Sequence, residues 1–317
     1  MKKVIVTVGP SLFGNSELRE IHSENYIYRI NGAHGSIEDV QGSIDQIRNQ
    51  LPDADILIDL PGNKVRTANL AEPIRLEKGK KFKLLQHQIN YGDFYKHLNA
   101  GDIVLADDST LKFVVESSNK KEIAFVSKSE GFLFSNKGCH VRGIHDGVPF
   151  LFAKDRELIE LANRNKVSYV GLSFVRSGED IRQAQKLIDD GVEIISKIET
   201  KAAVDNLNEI LDIADYILID RGDLSADVGL EKIPSYQKFI VERTHFHNKK
   251  TFLATQFLKN MEEKPVPTIA EIIDMYNTFK MGIYGIQLSE ETSIGKYPKE
   301  CLEVIRRVME EINSETQ

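Results

Sequence analysis

The chain has 317 residues, which suits two ordinary domains or one α/β barrel carrying a small insertion. At 41% hydrophobic and 28% charged residues it has a globular composition, which excludes the disordered, collagen-like and disulfide-scaffold classes. A count of 41 Lys and Arg against 48 Asp and Glu gives a net charge of −7, so there is no overall electrostatic footprint for nucleic acid, although a local cluster suffices for a small anion.

Along the chain, short β-branched runs alternate with longer segments of helical period. The runs fall at residues 3–8, 26–31, 55–60, 168–174, 192–198, 216–220, 251–255 and 283–288. Helix candidates lie near 14–24, 37–50, 155–166, 178–190, 201–213, 235–247, 268–280 and 298–313. Helix-start signals support two of them: Ser177 with Asp180 three residues on, and Pro267-Thr268 ahead of an apolar-periodic stretch. Eight strands alternating with eight helices predict a (β/α)8 TIM barrel of the α/β class. An open doubly wound sheet is the alternative, but a count of eight favours closure.

One interval, residues 67–144, breaks the rhythm after the third strand. Alternating runs at 81–85, 102–106, 111–116 and 122–127, with turns at Asn90-Tyr91-Gly92 and Ser129-Glu130-Gly131, read as all-β. The expected organisation is a barrel built from residues 1–66 and 145–317, with 67–144 inserted as a β lid domain. Such an insertion would stand over the C-terminal mouth, where barrel active sites lie. Cys139 and Cys301 are too few for a disulfide framework and suggest a reducing compartment. The apolar run near the N-terminus is too short for export, and no stretch approaches the ~18 apolar residues of a membrane helix. A cytoplasmic protein without nucleic-acid or membrane partners is expected.

Polar residues gather at the ends of the expected strands, where a core would prefer apolar ones. They are Arg29 and Asn31, Asp59, Lys197 and Glu199, Arg221-Gly222-Asp223, Thr255-Gln256, and Ser289-Glu290-Glu291. Side chains two apart on a strand share a face, so Arg29 with Asn31 and Lys197 with Glu199 can point together into the mouth. Glu199 and Asp223, from neighbouring strands, suit one Mg²⁺, an ion usually held by one or two carboxylates. Arg29, Arg66 and Lys197 would supply positive charge to a phosphoryl group in transfer. Any one of these residues alone reads equally well as a barrel-end salt bridge; six polar strand ends together do not. His34 by itself reads as a loop histidine.

The ordered set of motifs resembles the pyruvate kinase family. Val6-Thr7-Val8-Gly9-Pro10-Ser11 is similar to its opening strand and turn, and Arg29-Ile30-Asn31-Gly32-Ala33-His34-Gly35 to its Arg-Leu-Asn-Phe-Ser-His-Gly. Residues 59–67 stand where the family has Asp-Thr-Lys-Gly-Pro-Glu-Ile-Arg-Thr. Ala106-Asp107-Asp108 and Asn136-Lys137-Gly138 are similar to its lid. Ser173-Phe174-Val175-Arg176, Lys197-Ile198-Glu199, Arg221-Gly222-Asp223-Leu224, Ala254-Thr255-Gln256 and Leu288-Ser289-Glu290-Glu291-Thr292 complete the series. The likeness covers essentially the whole chain. It implies that Glu199 and Asp223 bind Mg²⁺ (or Mn²⁺), and that Lys197 stabilises the transferring phosphoryl group and the enolate of pyruvate. Thr255, with backbone around Gly222 and Asp223, would hold the phosphoenolpyruvate carboxylate. Arg29 and Arg66 would contact phosphates, while Asn31, His34, Asp108 and Lys137 would face ADP or ATP; Ser289 and Glu291 belong to the same binding group.

Several positions depart from the family pattern. Ala33 and Leu60 replace two oxygen ligands of its K⁺ site, leaving Asn31 and Asp59. Lys64 stands in place of a family Glu, which suggests an internal cation paired with Asp59 and no requirement for K⁺. Pro61, Ser225, Ile269 and Glu290 also differ, and the chain stops after the eighth helix, where the family continues into a regulatory domain. The resemblance therefore implies a phosphotransferase acting between phosphoenolpyruvate and ADP, as a monomer or homodimer. The alternatives are a relative with another acceptor or oxoacid, and a non-catalytic phosphoenolpyruvate- or nucleotide-binding protein.

Overall fold

Eight apolar strand segments wind into one closed parallel barrel in the computed structural model, which describes residues 2–13, 18–107, 110–141 and 147–315. The chain enters through β1 (Lys3–Thr7), α1 (Pro10–Phe13), α2 (Leu18–Ile21), β2 (Tyr26–Asn31), α3 (Ile37–Gln50) and β3 (Asp55–Asp59). It then leaves the barrel for β4 (Ile74–Leu76), β5 (Lys81–Leu85), β6 (Ile103–Ala106), β7 (Leu111–Ser118), β8 (Glu122–Ser127), β9 (Gly131–Leu133) and β10 (Cys139–His140). It returns through α4 (Ala153–Asn165), β11 (Tyr169–Leu172), α5 (Gly178–Gln185), β12 (Glu193–Ile198), α6 (Lys201–Asp205), α7 (Leu207–Ile213) and β13 (Tyr216–Asp220). The last third is α8 (Arg221–Val228), α9 (Ile233–Phe246), β14 (Lys250–Ala254), α10 (Ile269–Lys280), β15 (Gly285–Leu288), α11 (Glu290–Ser293) and α12 (Pro298–Ser314). Around the barrel the order is β1-β15-β14-β13-β12-β11-β3-β2, every neighbour parallel.

The expected strands 26–31 and 216–220 are as read, and the helix at 37–50 is also as read. Others shift. The segment 14–24 yields only the short α1 and α2, with 14–17 outside the described residues. The segment 201–213 splits at Asn206, whose side-chain amide donates to the Arg176 carbonyl at 2.9 Å. Helix 178–190 ends at Gln185. The Ser177 cap is corrected: its hydroxyl makes no capping bond, and the Asp180 carboxylate that a reciprocal box would turn back to Ser177 accepts instead from Arg176, whose amide donates at 2.9 Å and whose guanidinium donates at 2.7 Å. Thr268 does cap its helix, in a reciprocal box with Glu271.

The excursion after β3 is all antiparallel. β10-β6-β7-β8-β5 form one sheet and β4-β9 a second, around a separate core in which Phe82, Phe113 and Phe125 pack with ring centroids 5.0–5.2 Å apart. Tyr91 of this unit stacks on Phe152 ahead of α4, centroids 5.3 Å apart. Among the described residues no helix is long and apolar enough to cross a membrane. Both cysteines are free and buried.

Inside the barrel, alternation builds two layers. Ile5, Ile27, Leu57, Ile195, Leu218 and Phe252 fill the lower part, closed below by Tyr169 and Tyr216. Two residues further along the same strands, the inward face carries Thr7, Arg29, Asp59, Lys197, Asp220 and Ala254. The period of two that makes the core thus delivers charged groups to its upper rim.

Asp155 ties α4 to the loop that follows β3. Fully buried, it accepts from the amides of Phe152 at 2.7 Å and Gly62 at 2.9 Å. Asp155→Ala strands two buried N–H groups and should cost about 2–4 kcal/mol in urea unfolding. Burial, the largest influence, pushes this carboxyl up to about 6, against the two amide bonds that lower it. The folded chain therefore holds this proton more tightly than the unfolded chain. The stability it contributes is full below about pH 4 and is lost as pH rises through about 6, roughly 3 kcal/mol in all. A decline between pH 4.5 and 7.5 that is shallower in Asp155→Asn than in the unmodified chain would establish it; parallel curves would refute it.

Candidate active site

Lys197 is the centre of the mouth. It is 5% exposed, at the end of β12. Its Nζ donates to Ser173 Oγ at 3.0 Å and lies 2.9 Å from Glu199 Oε1, 3.3 Å from Asp59 Oδ2 and 3.8 Å from Asp220 Oδ2. Burial opposes its charge, but Asp59, Glu199 and Asp220 outweigh burial and raise its pKa. It is a fixed ammonium. Asp59 also accepts from Arg29 Nε at 2.8 Å, while the same guanidinium donates to Thr7 Oγ1 at 2.8 Å. Gly171 on β11 makes room for this pair, since a Cβ there would lie 2.8 Å from Asp59 Oδ1.

Three carboxylates share the opposite side. Glu199, Asp220 and Asp223 each bring an oxygen to within 4.8 Å of the other two. Glu199 is buried and accepts from the Phe174 amide at 2.7 Å; burial, and after it Asp220 and Asp223, push its carboxyl up against the pull of Lys197. Hard oxygen donors converging from three elements fit a small divalent cation. Asp220 went unread in the sequence, although it closes the run at 216–220 and so carries the same strand-end signal as Asp59. Ser173, which receives Lys197, has no signal in the sequence beyond its place in Ser173-Phe174-Val175-Arg176.

Lys64 lies elsewhere than expected. Its Nζ meets Asp223 Oδ1 at 2.5 Å and sits 5.8 Å from the centroid of the Phe174 ring, whereas Asp59 is occupied by Arg29 and Lys197. The expected pairing of Lys64 with Asp59 is thus corrected to Lys64 with Asp223. With burial opposing it, the Lys64 charge holds Asp223 low, at about 2.

Gly222 and Thr255 face each other across β13 and β14. The Gly222 amide donates to Thr255 Oγ1 at 3.0 Å and to Asp220 Oδ1 at 3.2 Å, and the Thr255 hydroxyl donates to the Ala254 carbonyl at 2.6 Å. Thr255 and Gln256 hold φ of 73° and 59°, a strained pair for side-chain-bearing residues. Arg221 braces them, donating to the carbonyls of Ala254 at 3.3 Å and Thr255 at 2.5 Å while pairing with Asp274 at 2.8 Å.

The remaining expected residues ring this centre more loosely. Asn31 Oδ1 accepts from the Ala33 amide at 3.1 Å. His34 is exposed, and partial desolvation, then the charges of Arg66 and Arg29, lower its pKa. Arg66 bridges to Gly138 through the backbone, and Lys137 pairs with Asp107 at 2.6 Å. Asp108 lies outside the described residues. Ser289 donates its amide to Glu291 at 2.7 Å, and Glu291 gathers with Glu262 and Glu290, a group separate from the carboxylates beside Lys197.

The family model described as "Pyruvate kinase, barrel domain" matches residues 1–302. Pyruvate kinase of Thermotoga maritima is 32% identical, the match covering 98% of this chain and 70% of that protein. Pyruvate kinase of Aeropyrum pernix is 33% identical over 96% of this chain and 69% of its own length. That of Thermococcus litoralis is 32% identical over 96% and 68%.

Proposed function

The chain belongs to the pyruvate kinase family, and from that we propose a kinase that moves the phosphoryl group of phosphoenolpyruvate to ADP at the barrel mouth, forming pyruvate and ATP. The observation that carries this reading is the buried Lys197 ammonium held among Asp59, Glu199 and Asp220. Its charge is desolvated and fixed in place before substrate arrives, which is how a site stabilises charge that develops during transfer. Lys197 faces the phosphoryl oxygens and the enolate. Arg29 and Arg66 bind phosphate, and Thr255 with the Gly222 amide receives the donor's carboxylate. Asn31, His34, Asp108 and Lys137 serve the nucleotide side, with Ser289 and Glu291 at the rim. Residues 67–144 act as a lid that excludes water.

Glu199 and Asp223 are the residues that hold Mg²⁺ or Mn²⁺, and the ion when bound supplies positive charge to the phosphoryl oxygens. A coupled assay with phosphoenolpyruvate, ADP and Mg²⁺ tests the reading: pyruvate and ATP appearing together support it. Pyruvate formed without ADP would favour a relative with another acceptor or oxoacid, a reading to which Asp220 lends support because it already holds the Gly222 amide. Ligand binding without turnover would favour a non-catalytic protein.

The Lys64 ammonium supports independence from K⁺, since it brings one fixed positive charge to the metal side of the site. Rates in Na⁺, K⁺ and tetramethylammonium should agree within about twofold, and Lys64→Glu should lower all three. Strong activation of the unmodified chain by K⁺ would sink this.

A further inference from the structure

We propose that Asp220 is a specificity-determining residue: its own carboxylate fills the seat at Gly222 and Thr255 and thereby weakens binding of a carboxylate-bearing enol phosphate. The inference rests on the function proposed above, which gives that seat to the donor's carboxylate. Two of the seat's donors, the Gly222 amide and the Thr255 hydroxyl, are spent within the chain. The single hydrogen of the Gly222 amide is shared between Asp220 Oδ1 at 3.2 Å and Thr255 Oγ1 at 3.0 Å. The Thr255 hydroxyl hydrogen goes to the Ala254 carbonyl at 2.6 Å.

Asp220 is 8% exposed and held in register on β13 beside Ala254, so its carboxylate does not swing freely into solvent. Its oxygens already lie among those of Glu199 and Asp223. An incoming carboxylate would have to displace Asp220 from the amide and settle beside the carboxylate it displaced, a juxtaposition that disfavours it. The seat cannot move to relieve the conflict. Thr255 and Gln256 are pinned at positive φ, with Arg221 anchoring the carbonyls of Ala254 and Thr255 to Asp274. Two carboxylates therefore compete for one place, whereas the phosphoryl end of the donor, facing Lys197 and Arg29, is untouched.

Calorimetric binding of phosphoenolpyruvate to the full chain in the presence of Mn²⁺ tests this, with inorganic phosphate as the probe of the phosphoryl end. Asp220→Ala should tighten phosphoenolpyruvate by at least about tenfold while changing phosphate by less than about threefold. Asp220→Asn retains an oxygen for the Gly222 amide but loses the charge, so it should fall between the two chains. Because the bond from the Gly222 amide to Asp220 also caps the N-terminus of α8, the Asn variant, which preserves it, keeps the test alive should the Ala variant fail to fold. Manganese binding, read by electron paramagnetic resonance, separates the rival role. Weaker Mn²⁺ binding with no gain for phosphoenolpyruvate would make Asp220 a metal ligand and overturn the inference. If the unmodified chain turns over phosphoenolpyruvate and neither variant binds it more tightly, the inference falls alone. If none of the three chains binds it, the proposed function falls and takes the inference with it.

Discussion

Replacing Lys197 by Met should lower turnover by a factor of about 10² or more, the usual consequence of removing one preorganised electrostatic stabiliser. Phosphoenolpyruvate binding should change less, because Arg29 and the Lys64 ammonium remain near the mouth. The same substitution should be felt in stability. Asp59, Glu199 and Asp220 would be left around an apolar side chain without their shared cation. Breaking a buried pair in this way costs about 3–5 kcal/mol. Rates must therefore be read on folded protein, checked by circular dichroism at the assay temperature. Lys197→Arg keeps the charge but not the compact ammonium that reaches Ser173, Glu199 and Asp59 together, so it should recover stability more fully than rate. Near-normal turnover in the Met variant would remove Lys197 from the chemistry.

The second large effect concerns the metal. Glu199→Gln and Asp223→Asn should each weaken Mn²⁺ binding by about tenfold or more, since a hard ion loses a charged oxygen for a neutral one. The two variants should differ in a side effect. Glu199→Gln withdraws a partner from Lys197, while Asp223→Asn frees Lys64, whose contact at 2.5 Å is its ion pair in this site. Direct titration by electron paramagnetic resonance reads affinity apart from catalysis. Unchanged midpoints in both variants would place the ion elsewhere.

The barrel was legible because its strands obey one rule twice. Ile27 and Arg29, or Ile195 and Lys197, lie two apart, so the alternation that marks a strand also tells which polar residue faces the mouth. Helix-rich interior segments were harder to delimit. Nothing local distinguishes Asn206 as a break until its amide finds the Arg176 carbonyl, a contact 30 residues away in the chain. The partner of Lys64 was misjudged for a related reason. Asp59 is five residues from Lys64, and sequence proximity makes it the natural choice, but Arg29 on the adjoining β2 and Lys197 on β12, one strand beyond β11, claim it first. Asp223, 159 residues away, is what remains within reach of the ammonium. Asp220 carries no motif of its own: it closes an apolar strand run and is followed at once by Arg221-Gly222-Asp223.

The most direct test follows phosphorus by NMR in a mixture of the enzyme with phosphoenolpyruvate, ADP and Mg²⁺, alongside the Lys197→Met variant. The phosphoenolpyruvate signal should decline in step with growth of the ATP β- and γ-phosphate signals, with little free phosphate, and should persist in the variant. Free phosphate accumulating in place of ATP, or equal conversion by the variant, would contradict a phosphotransfer centre built on Lys197.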